Sequence, residues 1–225
     1  MRAPKDAATR PTSDRAREGL FDWLGPLVPD GHPAHAALPR GEGLSAPGGP
    51  GFGVLDLFAG TGAVGIEALS RGAVRAVFVE SRRPALESLA ANLADLDLRD
   101  CSRVLRRDVR AFLRAVATDG DAVGALGGAF GLVFADPPYA DRGSADLLAS
   151  PALPRLLAPG GRLVIERDRD AERAPARGRS APHAVAAPPA LCTNGLVLRE
   201  SRAYGRTTFD WYERGDVQRS EDANE

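Results

Sequence analysis

The chain reads as an α/β protein: a mostly parallel sheet with helices on both faces. Three observations predict this. From Gly53 onward, apolar strand-like runs alternate with helix-like runs, and such alternation implies parallel strands covered on both sides. The first of these strands enters a glycine turn, Gly60-Thr61-Gly62-Ala63-Val64-Gly65, that opens a helix. Four acids, Asp56, Glu80, Asp108 and Asp136, each stand where a strand is expected to end. In a parallel sheet ligands gather at the strand carboxyl ends, so four such acids face one crevice.

Taken in order, residues 1–27 form an amino-terminal arm and a helix. Pro11-Thr12-Ser13-Asp14 is a helix-start signal with Ser13 as cap, and Ala16, Leu20, Phe21, Leu24 and Leu27 give a helical apolar stripe. Residues 28–52 are rich in Pro and Gly without apolar period and read as a flexible linker. The main domain spans 53–214. Its second strand, Ala76 to Val79, ends at Glu80; Leu86, Leu89, Ala90, Leu93 and Leu96 mark the next helix. A short strand from Arg103 leads to Asp108 and a helix carrying Ala111, Phe112, Leu113 and Val116. Thr118 to Ala129 reads as a Gly/Ala loop, Phe130 to Phe134 as a buried strand, and Ala145 to Leu157 as a helix interrupted at Pro151 and Pro154. Pro159-Gly160-Gly161 reads as a turn before a fifth strand, Arg162 to Glu166. Residues 167–190 read as a surface loop. Leu196 to Arg199 and Thr207 to Tyr212 read as a hairpin turning near Gly205, and 215–225 as a disordered tail.

Composition narrows the class. The chain has 225 residues, 44% of them hydrophobic, and a net charge of −1, so there is no global basic signature of a nucleic-acid binder. Lys5 is the only lysine; the basic side chains are otherwise arginine. Cys101 and Cys192 have neither metal-ligand spacing nor a disulfide framework, and His32 and His35 lie in linker-like sequence, so no metal site is expected. No signal peptide or long apolar run is visible, and a cytoplasmic protein is the expectation.

The chemistry concentrates at two places. The glycine turn with an acid about twenty residues on is also the pattern of nicotinamide and flavin enzymes. Asp56, four residues before Gly60, argues for another nucleotide: a carboxylate there repels a pyrophosphate and suits a cation. S-adenosyl-L-methionine carries an ammonium and a sulfonium. On this reading Asp56, Phe58, Gly60, Gly62, Glu80 and Asp108 bind the cofactor, Glu80 through the ribose hydroxyls and Asp108 through the adenine amine. Asp108 reads equally as the cap of the helix that follows. The second place is Asp136-Pro137-Pro138-Tyr139. Asp136 and the Pro137 carbonyl offer two acceptors to an exocyclic NH₂, and Tyr139 offers a ring on which a base can stack. These three are the candidate catalytic residues. Arg10, Arg15 and Arg17 crowd the first helix start, where positive charge opposes the helix dipole; they are candidate RNA contacts against the plainer reading of a solvated turn. Arg103, Arg106, Arg107, Arg110 and Arg114 form a second basic group.

At this point the sequence resembles the class I S-adenosylmethionine-dependent methyltransferases, and within them the RsmD family of 16S rRNA (guanine-N2)-methyltransferases. The resemblance runs from about Arg10 to Tyr212 and rests on Arg10-Pro-Thr-Ser-Asp-Arg-Ala-Arg-Glu-Gly-Leu-Phe, Leu55-Asp-Leu-Phe-Ala-Gly-Thr-Gly-Ala-Val-Gly-Ile-Glu-Ala-Leu and Asp136-Pro-Pro-Tyr. It implies a seven-stranded Rossmann-like sheet whose last strand is antiparallel. It also implies one methyl placed on a guanine of the small-subunit rRNA during assembly, and a monomer with no membrane partner. Asp-Pro-Pro-Tyr occurs as well in DNA adenine-N6 enzymes, so that acceptor stays open, as does a non-catalytic assembly factor. Two departures bear on RNA affinity: only nine residues precede Arg10, where the family carries a basic hairpin, and the 28–52 segment is long.

Overall fold

The computed structural model describes residues 14–25, 52–138, 143–168, 192 and 194–215. The expectations for Arg10, Ser13, Leu27, His32, His35, Tyr139, the 28–51 linker, most of the 167–190 loop and the tail after 215 lie outside these residues. The elements are α1 (Asp14–Leu24), β1 (Gly53–Leu57), α2 (Ala63–Ser70), β2 (Arg75–Glu80), α3 (Arg83–Asp95), β3 (Ser102–Arg106), α4 (Val109–Thr118), α5 (Ala122–Ala125), β4 (Phe130–Ala135), α6 (Gly143–Leu148), α7 (Ala152–Leu156), β5 (Leu157–Asp168), β6 (Leu196–Tyr204) and β7 (Thr207–Arg214).

The seven strands lie in the order β3-β2-β1-β4-β5-β7-β6. The first five pair in parallel, and β7 runs antiparallel to both β5 and β6. This is the expected seven-stranded sheet with an antiparallel last strand. β1 and β2 are buried on both faces, which is why their sequences GVLDL and RAVFVE do not alternate apolar with polar. The pleat sends Val54, Phe78, Leu132, Phe134, Val164 and Phe209 toward α1, α2 and α3. It sends Leu55, Val77, Val133, Leu163 and Tyr212 toward α4, α6 and α7. No helix of the described residues is long and apolar enough to cross a membrane.

α1 spans the sheet between distant parts of the chain. Its apolar stripe, Ala16, Leu20, Phe21 and Leu24, is buried. At one side Arg71, just after α2, lies over the Phe21 ring, 5.0 Å from its centroid. At the other, Trp23 Nε1 donates to Glu200 at 3.1 Å and Tyr204 Oη donates to the Gly19 carbonyl at 2.8 Å. Trp23 also meets Trp211 edge to face at 5.5 Å.

Three local expectations are corrected. The Gly/Ala stretch before β4 is not all loop: it contains the single turn α5. The helix read over 145–157 is two helices, α6 and α7, with Pro151 just before α7 and Pro154 inside its first turn, where the missing N–H costs nothing. The turn Pro159-Gly160-Gly161 lies within β5, which already begins at Leu157. Phe130 pairs with Leu157 and Leu132 with Arg162, so 158–161 bulge opposite a single β4 residue.

Arg75 looks in sequence like a plain approach to a strand, yet it is buried at 5% exposure. Its guanidinium donates to the carbonyls of Leu126, Gly128 and Ala129 and stacks on Phe130, 4.4 Å from the ring centroid. It satisfies three carbonyls of the turn between α5 and β4, so this cation serves the fold.

Candidate active site

The carboxyl ends of β2, β1 and β4 stand side by side. Leu57 pairs with Val79 on one side and Ala135 on the other, so Glu80 and Asp136 come at the level of Phe58. Asp56 is opposite both Phe78 and Phe134, and shares their face of the sheet. Alternation puts Glu80 on that face too. Three of the four predicted acids therefore surround the start of the glycine turn.

The turn is held from several directions. Phe58 adopts φ of 62°, a left-handed conformation that costs a β-carbon-bearing residue about 1 kcal/mol or more. The Ala59 N–H donates to the Val79 carbonyl at 3.1 Å, and Asn92 Nδ2 of α3 donates to the Thr61 carbonyl at 3.1 Å. Gly62 has φ of 82°, and a β-carbon on it would fall 2.4 Å from Leu89 Cδ1. Gly65 packs so closely on β2 that a β-carbon would fall 2.3 Å from Phe78 Cε1. The two glycines thus have separate causes, one a backbone conformation and one a helix-to-strand approach.

Asp56 is 2% exposed, and its Oδ2 accepts from the Gly65 N–H at 2.9 Å. Sequence reading aims this carboxylate at a ligand cation; it is first a buried brace between β1 and the start of α2. Burial pushes its pKa up to about 7 against the opposing pull of the Gly65 N–H, and the Asp136 and Glu80 carboxylates push it further the same way. The three carboxyl groups are thus near enough to act on one another, and the crevice concentrates acceptors. Glu80, 4% exposed, accepts from the N–H groups of Ser81 and Arg82 at 2.8 Å each and of Gly60 at 2.9 Å. It ties the glycine turn to the β2–α3 turn. Arg82 Nε donates to the same Oε1 as the Ser81 and Arg82 N–H groups, at 3.4 Å, whereas Oε2 takes the Gly60 N–H and keeps a lone pair for a further donor.

Asp136 follows β4 directly and is half-buried; its N–H points to the Leu57 carbonyl at 3.5 Å. Pro137 is buried and Pro138 exposed. Asp108 is exposed, two residues beyond Arg106, and caps α4 by accepting from the Ala111 N–H at 2.9 Å. The cap role that the sequence leaves open is thus present, at the end of the next strand out from Glu80. Arg15 is exposed, whereas Arg17 is half-buried, bonded to Asp14 at 2.8 Å and 3.9 Å from Glu67. Sequence reasoning passes over Asn92. Its signal is a polar residue on the buried side of α3, between Leu89 and Leu93.

A parallel sheet whose β1 enters a glycine turn, an acid closing β2 and Asp-Pro-Pro after β4 together define a Rossmann-like methyltransferase. The chain belongs to the family described as "Conserved hypothetical protein 95", the RsmD family, whose model matches residues 1–180. It is 33% identical over 172 residues to "Putative rRNA methyltransferase YlbH" of Bacillus subtilis, covering 76% of this chain and 78% of that one. It is 34% identical over 136 residues to "Ribosomal RNA small subunit methyltransferase D" of Escherichia coli K12, covering 60% of this chain and only 52% of that protein. Among solved structures, Escherichia coli yhhF aligns with a TM-score of 0.60 at 26% identity, over 95% of this chain and 91% of its own. The Thermus thermophilus hypothetical protein TTHA0928 aligns with a TM-score of 0.59 at 26% identity, over 94% and 92%.

Proposed function

We propose that this chain transfers a methyl group from S-adenosyl-L-methionine to the exocyclic N2 amine of a guanine in small-subunit rRNA. The observation that carries the reading is the convergence of Asp56, Glu80 and Asp136 at the ends of adjacent strands around a braced glycine turn. The names of the relatives support the rRNA substrate.

The residues fit this cofactor. The crevice offers acceptors and negative charge to a ligand bearing an ammonium, a sulfonium and a ribose diol. Glu80 accepts from the ribose hydroxyls while keeping its backbone donors. Asp56 faces the cationic end. Phe58, Gly60 and Gly62 shape the turn over which the ligand lies, and Asp108 accepts from the adenine amine beside its own cap. Bound there, the cofactor supplies an electrophilic methyl on sulfur.

The chain's own task is to present the nucleophile. The target guanine leaves its stack at a cost of a few kcal/mol. Asp136 and the Pro137 carbonyl accept the two amine hydrogens and turn the nitrogen lone pair toward the methyl. Stacking on Tyr139 returns roughly 1–3 kcal/mol. Holding the two reactants in line supplies much of the rate. The Asp136 carboxylate would take the proton that the amine sheds on gaining the methyl, the cofactor leaving as its neutral thioether. Of the three arginines read as RNA contacts, Arg15 is exposed and contributes charge toward the RNA, whereas Arg17 is tied to Asp14 and Arg10 lies outside the described residues.

The test is methyl-labelled S-adenosylmethionine offered with unmodified small subunits, naked 16S rRNA or duplex DNA, followed by nucleoside identification. Labelled N2-methylguanosine from a ribosomal sample is expected. Label in DNA adenine overturns the acceptor, and no label anywhere overturns the reaction.

A further inference from the structure

The edge of the sheet next to the candidate crevice carries an arginine concentration that the site does not use. Residues 99–114 contain six arginines, Arg99, Arg103, Arg106, Arg107, Arg110 and Arg114, against two acids, Asp100 and Asp108, in a chain whose net charge is −1. All six are exposed. β3 is the outermost strand at this end, paired only with β2. Asp108 is already committed to capping α4.

Several exposed arginines elsewhere lie within reach of a carboxylate, and those without one among the described residues, Arg15, Arg155 and Arg214, are scattered singly rather than gathered in a run. Arg71 meets Glu67 at 2.7 Å, Arg83 meets Glu87 at 2.8 Å, Arg199 meets Glu213 at 3.1 Å, and Arg206 meets Asp168 at 3.3 Å. On the β3–α4 edge only Arg110 has a carboxylate among the described residues, Asp146 at 3.5 Å, and Arg103 donates to the Ala125 carbonyl. Arg99, Arg106, Arg107 and Arg114 have no carboxylate partner among the described residues. Charge protection of an edge strand accounts for one or two cations, not for a run left without counter-charge across a strand, a turn and a helix.

The placement matters as much as the charge. Arg106 pairs in register with Glu80, and the Arg107 N–H donates to the Glu80 carbonyl at 3.0 Å. The arginine run therefore ends at the rim of the crevice. Arg103 to Arg107 spans about 13 Å along the strand direction, and Arg110 and Arg114 stand one helical turn apart, about 6 Å. Alternation turns Arg103 and Arg106 to opposite faces of this edge strand, so the cations wrap the edge and continue onto α4, a spread suited to successive phosphates rather than to one small anion.

We propose that the β3–α4 edge is an RNA-backbone docking surface, gripping phosphates flanking the target nucleotide while that nucleotide enters the crevice. The proposal rests on the rRNA reading above and adds the surface that holds the substrate. The contacts are to phosphate, so they position the RNA and carry no base specificity.

The test compares wild-type protein with Arg106→Gln/Arg107→Gln/Arg114→Gln. A second triple variant, Arg83→Gln/Arg199→Gln/Arg206→Gln, removes three carboxylate-paired arginines as the control. Binding of a small-subunit rRNA fragment is measured from about 50 to 200 mM salt, and S-adenosylmethionine affinity is measured in parallel to verify folding. The edge variant is expected to lower the slope of log K against log salt by about 2 to 3, and affinity at 0.1 M salt at least tenfold, with cofactor affinity unchanged. The control variant is expected to retain the wild-type slope. An edge variant matching wild type, or a control losing as much, overturns the docking surface and leaves the rRNA reading standing. Wild-type protein that neither binds nor methylates rRNA overturns the rRNA reading, and the docking surface with it.

Discussion

Asp56 Oδ2 accepts the Gly65 N–H at 2.9 Å, across nine residues that include the whole glycine turn. One buried carboxylate thereby closes the turn from beneath, and the absence of a side chain at Gly65 lets α2 approach near enough for the bond to form. The turn's shape depends on both.

Gly65→Ala puts a methyl 2.3 Å from the Phe78 ring and 3.2 Å from Asp56 Oδ2. The helix has to withdraw, so a loss of about 1–3 kcal/mol is expected in denaturant unfolding. Cofactor affinity measured by calorimetry should fall with it.

Asp56 also predicts a pH dependence. Its pKa rises from 3.8 to about 7 in the fold, chiefly through burial. The folded protein holds a proton that the unfolded chain releases, so this group's contribution is full below pH 4 and is lost as pH rises toward 7, on the order of a few kcal/mol. Asp56→Asn keeps an oxygen for Gly65 and removes the titration. Between pH 4 and pH 8, wild-type protein should lose unfolding free energy relative to the variant; parallel curves would show that Asp56 titrates normally.

Glu80→Gln retains the bulk but exchanges an acceptor-only group, which takes three backbone N–H donors, for one with a single acceptor oxygen. Cofactor binding is expected to weaken tenfold or more. Amide exchange at Gly60 should quicken, because its acceptor is lost or shared.

Asp136→Ala should lower kcat by a hundredfold or more while S-adenosylmethionine binds with near-normal affinity, since the proposed contact is to the acceptor amine. Single-turnover methylation and calorimetry on the same preparation separate the two. Turnover near the wild-type rate would remove Asp136 from the chemistry.

Tyr204→Phe removes the hydroxyl that donates to the Gly19 carbonyl, a bond joining α1 to β6. A loss of about 1 kcal/mol is expected, visible as a lower thermal midpoint, with turnover unchanged below that midpoint.

Much of the fold and site is legible in the sequence because the signals are local. The β1–turn–α2 unit, Glu80 closing β2, Asp136 after β4 and the final hairpin each follow from residues adjacent in sequence. What stays hidden depends on long-range partners. Arg75 looks like an ordinary charged start to a strand until the carbonyls of Leu126, Gly128 and Ala129 come round to it. Asp56 points toward a ligand because composition cannot show that its oxygen is already engaged by Gly65. Pro159-Gly160-Gly161 has every mark of a turn, yet a sheet absorbs it as a bulge because β4 and β5 pair on both sides of it. Asn92 reads as an ordinary helix residue until the Thr61 carbonyl is placed above it.

The seat of α1 has a consequence for how the chain is made. Trp23 bonds to a residue 177 positions later and Gly19 to one 185 positions later. As the polypeptide leaves the ribosome, α1 emerges early, while Glu200, Tyr204 and Trp211 are still unsynthesised. Its apolar stripe must wait until β6 and β7 are made before this side of its resting place exists, and contacts so remote in sequence close slowly. Final docking of α1 thus follows the synthesis of β6 and β7, and a nascent chain stalled before β6 would leave Trp23 without its indole and carboxylate neighbours.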